Sequence, residues 1–394
     1  MNPTYVLSAV RTPMGTFGGS FSNPSPVDLA APVMRVALEE AGVEASALDF
    51  YVMGNVLRGG HGQLVPRQAA TQAGIPDSVD GMAVDMGCSS GMMSLLTAGS
   101  LMDSMGADLV LAGGTESMSS AGFALSGKAR WGYKFGGEKV TDLMQRDGLS
   151  DPMSGEAMGE QAERLASEKD IAREKLDEIA VRSHRRAAEA NEKGWFDDEI
   201  VPFEIETRSG TETLRHDEGI RADTSTEKLA GLSAAFAEGG VLTAGNSSPI
   251  SDGASALLLA SERAVEANGL EPVARLTEGA WNAGEPWRFP EAPIPAARDV
   301  AERTGRAVED FDLYENNEAF ALSSVLFHRM LGVPHDKLNV HGGALALGHP
   351  IGASGARITT TLIHALRRRG EEHGLASICH GTGGGTALAV ERVA

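Results

Sequence analysis

The chain has 394 residues, 42% of them apolar, and this length predicts two or three domains with a substantial hydrophobic core. Its 54 acidic and 34 basic residues give a net charge of −20, which argues against nucleic acid as a partner because such a surface repels phosphate backbones. No run of about 18 apolar residues occurs, so we expect no membrane span, and residues 1–10 lack the features of a signal peptide.

Strands and helices alternate through residues 1–115, a pattern typical of an α/β unit. A glycine ends the first predicted helix, and a second helix opens directly after the turn that contains Cys88. The predicted elements are, in chain order, a strand at 6–10, a helix at 28–41, strands at 50–53 and 83–85, a helix from 87 to about 105, and a strand at 109–112.

The region 119–246 has a different composition, with most of the charge, several turn-rich stretches and a predicted helix at 172–193. We interpret it as an excursion inserted into the first α/β unit. The apolar run 256–260 would return to that unit as a strand. A third part begins near Ala274, where strands and helices alternate again.

This third part repeats features of the first. Asp49 and Asp312 each stand directly before a predicted strand, and Cys88 and His349 follow them at nearly equal distances, each after a glycine. The repeat predicts a duplicated fold. The alternative is coincidence, since βα units have similar lengths in any case.

Cys88 is the first candidate for chemistry, because it lies between a strand and the start of a helix. The positive end of the helix dipole favours the thiolate and lowers the pKa of a thiol at this place. The small residues that follow leave room for a substrate. Cys88 could therefore be a nucleophile, although a free cysteine is more often a small buried apolar residue.

His349 lies in the glycine-rich stretch 342–355, where backbone holds it more firmly than a surface loop would. Pro350 suits the first turn of a helix that runs towards Arg369. A functional role for His349 and a structural one are about equally favoured.

Asn317 follows the strand that begins at residue 313. It could hold a water or an oxyanion, or it could cap a helix.

Cys379 lies at the end of a strand, before the glycine-rich turn 381–385. Backbone N–H groups of such a turn can form an oxyanion hole. Neighbouring strand residues point to opposite faces, so we expect Cys379 and His380 not to share a site.

With only two cysteines the chain has neither a disulfide framework nor a four-thiolate zinc site. We expect no metal, no resident cofactor and a reducing, cytoplasmic compartment.

These blocks together resemble the thiolase family over essentially the whole chain. The most specific block is 342–355, and the others are the Cys88 turn, 317–320 and 379–385. The resemblance implies an α/β fold of two duplicated halves, layered α/β/α/β/α, with an inserted loop domain that binds coenzyme A. The implied boundaries are 1–118 plus 247–273 for the first half, 119–246 for the loop domain and 274–394 for the second half.

The resemblance also implies an enzyme, an acyltransferase that condenses or thiolytically cleaves 3-ketoacyl-CoA by a ping-pong mechanism. Cys88 would carry the acyl group and His349 would be its base. Cys379 would exchange a proton with the second substrate. Asn317 would position a water, and the N–H groups of Cys88 and Gly381 would form an oxyanion hole.

The same resemblance implies a cytoplasmic homodimer or homotetramer in fatty acid metabolism, including β-oxidation. Its partners would be acetyl-CoA, CoA and 3-ketoacyl-CoA, and CoA thioesters would be substrates, not cofactors. The residues implied to contact the pantetheine arm of coenzyme A are Leu149, Met158, Phe236, Ser248 and Phe320. Arg221 is implied to contact the nucleotide end.

Two departures from the family pattern leave the acyl length open. Thr382 replaces a glycine, and the segment 156–159 lacks the aromatic or His residue that precedes the Met in short-chain enzymes.

Three alternative functions also remain. A decarboxylating ketosynthase would have a second histidine in place of Cys379, a non-catalytic acyl-CoA or lipid-binding protein need not keep these residues, and a redox protein would join Cys88 to Cys379.

Overall fold

The computed structural model describes residues 3–207 and 210–393. The strands in these ranges are β1 (Thr4–Arg11), β2 (Gly15–Thr16), β3 (Phe50–Gly54), β4 (Asp80–Val84), β5 (Leu109–Ser117), β6 (Phe123–Ala124), β7 (Thr141–Asp142), β8 (Phe203–Thr207), β9 (Gly210–Leu214), β10 (Ser251–Ser261), β11 (Ala274–Ala283), β12 (Leu313–Asn316), β13 (His373–His380) and β14 (Gly384–Arg392). The helices are α1 (Pro26–Glu40), α2 (Val65–Gln72), α3 (Ser90–Met105), α4 (Met158–Glu168), α5 (Arg173–Glu192), α6 (Thr226–Ala230), α7 (Glu262–Asn268), α8 (Pro293–Thr304), α9 (Ala321–Leu331), α10 (Ala344–Leu347) and α11 (Ser354–Arg369).

Local sequence explains where these elements begin. Ser25 and Asp28 form a reciprocal capping box at the start of α1, in which each side chain accepts a hydrogen bond from the backbone N–H of the other residue. The predicted helix at Pro350 was placed too early, because α11 begins at Ser354. The carbonyl of Pro350 instead accepts from the N–H groups of Ala353 and Ser354, which closes a separate turn before the helix.

The two halves of the chain have the same strand order and strand directions. In the first half, β4, β3 and β5 are parallel neighbours, and β10 and β1 follow them in antiparallel pairing. In the second half, β12 and β13 are parallel, and β14 and β11 follow in antiparallel pairing. A parallel bridge between Tyr314 and Leu338 takes the position of β4. The duplication predicted from the sequence is confirmed.

Two equivalent aspartates show the same repeat in atomic detail. The carboxylate of Asp49 accepts hydrogen bonds of 2.7 and 3.0 Å from two successive N–H groups where β5 begins. The carboxylate of Asp312 accepts bonds of 3.1 and 2.9 Å from two successive N–H groups where β13 begins. Each aspartate therefore joins its own strand to the neighbouring strand at one end.

The halves are joined into one continuous sheet, because β1 of the first half pairs antiparallel with β11 of the second. Between the halves, α11 packs against β1, β5 and β10 on one side and against β12, β13 and β14 on the other, and α3 lies beside it. The outer faces are covered by α1 and α8. This gives the expected five-layer α/β/α/β/α arrangement.

The excursion 119–246 is fastened to the first half by a fully buried ion-pair cluster. Arg11 of β1 lies 2.6 Å from a carboxylate oxygen of Glu199 and 2.6 Å from one of Asp217, and all three side chains are inaccessible to solvent. Removing one member of such a cluster leaves an unpaired buried charge, which is strongly destabilising.

Among the described residues, no helix combines the length and the apolar character needed to cross a membrane.

Candidate active site

Cys88 lies in a tight turn between β4 and α3. The hydroxyl of Ser90 fixes this turn by donating to the carbonyl of Gly87 (2.6 Å) and accepting from the N–H of Met86 (2.8 Å). Gly87 has a φ of +53°, a left-handed conformation that favours glycine. The thiol is partly buried, two residues before the first residue of α3.

Burial is the main influence on the protonation state of Cys88. Burial raises the pKa of the Cys88 thiol to about 12, although the N–H of Gly381 donates a hydrogen bond towards the sulfur and acts in the opposite direction. The low pKa expected for this thiol is therefore not found, because the net shift is upward. The thiol is protonated near neutral pH and needs a base to become a nucleophile.

His349 has the properties of such a base. Its Nδ1 lies 2.6 Å from the hydroxyl of Ser354, which itself donates to the carbonyl of Pro350 at 2.8 Å. Since that hydroxyl proton is already used, Nδ1 must carry a hydrogen and Nε2 has the free lone pair. Burial, followed by the charge of Arg357, lowers the pKa of His349 to about 3. The imidazole is therefore neutral in the resting protein, and its Nε2 carries no proton.

Asn317 lies beside His349. Its Nδ2 is 3.4 Å from both ring nitrogens, and its buried Oδ1 has no hydrogen-bond partner among the described residues. The Asn317 N–H donates to the carbonyl of Ser377 at 2.9 Å, which holds the residue against β13. A free buried carbonyl oxygen at this place is suited to binding a water.

Cys379 and His380 face opposite sides of the end of β13. Cys379 is almost fully buried in an apolar cluster that includes Phe320, and burial, followed by the proximity of Cys88, raises its pKa. His380 instead lines the cavity in front of Cys88. The two side chains are therefore separated as strand alternation predicts, while the place of His380 in the cavity wall was not predicted.

The cavity has a volume of about 640 Å³. Its wall includes Cys88, Met158, Ile351, His380, Gly381 and Thr382. Charged side chains, among them Arg58 and Arg146, line it further out. The nucleophile candidate is therefore reached through an open, partly polar cleft.

Five of the six residues expected to contact coenzyme A form one surface, and three contacts join them. The carbonyl of Leu149 accepts from the N–H of Met158 at 3.0 Å. The rings of Phe236 and Phe320 meet edge to face with centroids 5.9 Å apart. The N–H of Ser248 donates to the carbonyl of the residue before Phe320 at 3.0 Å.

The two parts of this surface meet at α4. The ring of Phe236 lies against Gly159, the residue after Met158, and the sulfur of Met158 lies over Gly381. The sixth residue, Arg221, was expected at the nucleotide end of coenzyme A. It is exposed, and its backbone N–H donates to the imidazole of His184.

Glu116 is a residue that the sequence analysis missed. Its buried carboxylate accepts from the side chain of Asn55 (2.9 Å) and from the N–H groups of Val56 (3.0 Å), Leu57 (3.1 Å) and Gly352 (3.0 Å). Burial raises its pKa to about 7. It ties the loop after β3 to the loop after His349, and only its place at the end of a strand could have suggested this.

Glu318 was also missed, although it lies within the block 317–320. Its buried carboxylate accepts from Ser183 (2.7 Å) and Asn339 (2.9 Å) and from the N–H of Leu345 (3.3 Å). It therefore connects α5 of the excursion with the loops that carry Asn317 and His349. Its long-range partners leave no signal in the local sequence.

Comparisons with known proteins show the family of the chain. The family model described as thiolase, N-terminal domain, matches residues 4–263, and the model described as thiolase, C-terminal domain, matches residues 270–392. The chain belongs to the thiolase family. The predicted acyltransferase class is confirmed with it, since the curated relatives carry acyltransferase names.

Two of these relatives match this thiolase over the full length of both chains. An acetyl-CoA acetyltransferase of Synechocystis is 58% identical over 396 residues, and an acetyl-CoA acetyltransferase of Escherichia coli is 42% identical over 393 residues. Each covers 100% of this chain and 100% of the relative.

Two solved structures also match this chain over its whole length. A Bacillus anthracis acetyl-CoA acetyltransferase has a TM-score of 0.97 at 41% identity and covers 100% of this chain and 99% of its own. A thiolase from Ascaris suum, solved in complex with coenzyme A, has a TM-score of 0.93 at 36% identity with 100% of both chains covered. The thiolase fold predicted from the sequence is confirmed.

Proposed function

We propose that this thiolase transfers acyl groups between coenzyme A and Cys88, with acetyl-CoA as donor and acetoacetyl-CoA as the condensed product. The observation that carries the proposal is the convergence on Cys88 of the Gly381 N–H and an open cavity, with a second buried thiol behind it. The names of the relatives support acetyl-CoA as the substrate.

In the first half-reaction, Nε2 of His349 accepts the Cys88 proton, and the thiolate attacks the thioester carbonyl. The N–H groups of Cys88 and Gly381 stabilise the oxyanion of the tetrahedral intermediate. The carbon–sulfur bond to coenzyme A then breaks, and the leaving thiolate takes the proton from His349. Acetyl-Cys88 and free CoA result, which is the basis of a ping-pong mechanism.

In the second half-reaction, Cys379 first gives its proton to Nε2 of His349 and then, as a thiolate, accepts an α-proton from a second acetyl-CoA. The enolate oxygen is stabilised by the protonated His349 and by a water held at Asn317. The enolate carbon attacks acetyl-Cys88, a carbon–carbon bond forms, and Cys88 leaves as a thiolate that takes the proton back from His349. Thiolytic cleavage of 3-ketoacyl-CoA is the reverse, and neither direction needs a metal or a resident cofactor.

The loop domain 119–246 and the adjoining Ser248 would bind coenzyme A between the halves 1–118 plus 247–273 and 274–394. The surface formed by Met158, Phe236 and Phe320 would hold the pantetheine arm beside Cys88. Arg221 would reach only the nucleotide end, which agrees with its exposed position outside the cavity.

The acyl pocket favours short acyl groups. Leu57, Met118 and Ile351 form a closely packed apolar cluster that contacts Cys88, and each is almost fully buried. A long chain would have to displace these side chains, and burial of extra methylenes in packed apolar surroundings is costly. Acetoacetyl-CoA should therefore be cleaved faster than longer 3-ketoacyl-CoA.

We also propose that the thiolase is a cytoplasmic homodimer or homotetramer. The segment 123–140 exposes several large apolar side chains, with Trp131 85% and Phe135 98% accessible. Its cations are Lys128, Arg130, Lys134 and Lys139. A second copy of this chain, with its net charge of −20, complements that segment. A cytoplasmic site suits the two thiols, which must stay reduced for the mechanism to run.

Sedimentation of the wild type and of a Trp131→Ser, Phe135→Ser variant tests the assembly. The wild type should sediment as a dimer or tetramer and the variant as a smaller species. Trp281→Ser, which removes another exposed tryptophan, is the control and should leave the assembly intact. A monomeric wild type would contradict the proposal.

The catalytic proposal is tested by incubating the protein with acetyl-CoA and measuring peptide masses. One acetyl group should appear on the peptide that contains Cys88 and none in Cys88→Ala. Acetylation on Cys379 alone would exclude Cys88 as the nucleophile. Binding of acetyl-CoA with no acetylation at all would favour a non-catalytic acyl-CoA carrier.

A further inference from the structure

The turn that presents the Gly381 N–H has an unusual backbone. β13 and β14 are joined by residues 381–383, and His380 pairs with Gly384 across the hairpin. Thr382 has a φ of +68° and Gly383 a φ of +87°. A β-branched residue is rarely found in this left-handed region. Such a conformation persists only where the surroundings impose it.

The imidazole of His380 is one of those surroundings. Its Nδ1 lies 2.8 Å from the carbonyl oxygen of Gly381, and a carbonyl only accepts, so Nδ1 carries the hydrogen. Burial lowers the pKa of His380, which keeps the ring neutral. The buried Nε2 has no hydrogen-bond partner among the described residues, and a Cβ at Gly384 would lie 1.9 Å from it. The ring is thus held by one hydrogen bond and by packing.

The far end of the turn has different support. The N–H of Gly284 donates to the carbonyl of Gly383 at 2.9 Å, and a Cβ at Gly383 would lie 2.6 Å from the carbonyl oxygen of Glu285. These contacts do not involve His380. Loss of the imidazole would therefore free the Gly381 end while the hairpin itself stays anchored.

We propose that His380 is a positioning residue, which holds the Gly381–Thr382 peptide through Nδ1 and thereby aims the Gly381 N–H at the Cys88 sulfur and at the oxyanion of the bound thioester. Gly381 connects the two functions, since its carbonyl accepts from His380 and its N–H donates towards Cys88. The inference rests on the proposed acyl transfer through Cys88.

The test compares His380→Ala with His380→Asn, whose side-chain amide can donate to the same carbonyl. We expect Ala to slow single-turnover acetylation of Cys88 roughly 10- to 100-fold with little change in KM, because a misplaced oxyanion donor costs transition-state stabilisation. Alkylation of Cys88 by iodoacetamide at fixed pH should slow as well. Asn should restore most of both rates. His373→Ala, at the other end of β13, is the matched control and should behave as wild type.

Wild-type acetylation in His380→Ala, or equal losses in the Ala and Asn variants, would overturn the assignment and leave His380 as packing. Nitrogen NMR of the wild type gives a further check that needs no variant, since a His380 protonated on Nε2 would also overturn it. These results are distinguishable from failure of the proposed function, in which the wild type itself would form no acetyl-Cys88.

Discussion

At the scale of single residues, the resting site is an unreactive one. Burial leaves Cys88 protonated and His349 neutral, so neither side chain is charged before the substrate binds. In the proposed mechanism, proton transfer from the Cys88 sulfur to Nε2 of His349 creates the thiolate only when the thioester is bound at the oxyanion donors. A thiol kept in this state is protected from oxidants and alkylating agents between turnovers.

The raised pKa of Cys88 predicts how the free enzyme reacts with iodoacetamide. A thiol with a pKa of about 12 is mostly protonated at neutral pH, and its thiolate fraction grows as the pH increases. Alkylation of Cys88 should therefore accelerate continuously between about pH 7 and pH 10. A plateau below about pH 8 would mean that the helix dipole and the Gly381 N–H outweigh burial.

The two thiols should be separable by substitution. Cys379→Ala should still form acetyl-Cys88, because that step uses only Cys88, His349 and the oxyanion donors. It should lose condensation and cleavage by about 10²- to 10⁴-fold, the usual effect of removing a general base. Cys88→Ala should lose both steps. Turnover of acetoacetyl-CoA by Cys379→Ala at a near wild-type rate would make Cys379 a packing residue.

At the scale of elements, we expect α4 and the loops around it to bind coenzyme A and the strand ends to carry the chemistry. Phe236→Ala should raise KM for acetyl-CoA more than it lowers kcat, because that ring would contact parts of the substrate that do not react. Phe17→Ala, which removes an exposed ring elsewhere, is the control in the same assay. A large fall in kcat with unchanged KM would show that this region takes part in the chemistry.

The repeated aspartates predict matched stability effects. Asp49→Ala and Asp312→Ala each leave two backbone N–H groups without their acceptor, and each should lower the free energy of unfolding by about 1–3 kcal/mol. Because the two sites have the same geometry, urea denaturation should give similar losses. Asp77→Ala, at a side chain 88% exposed, should have little effect. A loss of stability in only one of the two variants would show that the aspartates share a geometry but do not contribute equally to stability.

Much of the architecture could be predicted from the sequence, because strands and helices leave local patterns. The turn at Cys88 and the strand before Asn317 were predicted for this reason. The start of α11 was not, since Pro350 suits a turn as well as a helix. The hydrogen bond from His349 to Ser354 and the four contacts of Glu116 depend on loops that meet only in the folded chain.

At the scale of the whole molecule, the continuous sheet and the shared helix α11 join the two halves. Strand β1 pairs with β10 of the first half and with β11 of the second. Unfolding of either half would therefore leave a strand of the other half without its partner. Calorimetry should therefore show one cooperative transition for both halves. Two resolved transitions that map to residues 1–273 and 274–394 would contradict this.

The duplicated architecture has an evolutionary consequence. Cys88 and His349 occupy equivalent turns, one before α3 and one before α11, which pack side by side between the halves. An ancestor assembled from two identical half-length chains would have carried the same side chain in both turns. It could have presented two sulfurs or two imidazoles, but not one of each. With the proposed roles of nucleophile and base, such an ancestor would need a fused gene before its two turns could carry different side chains.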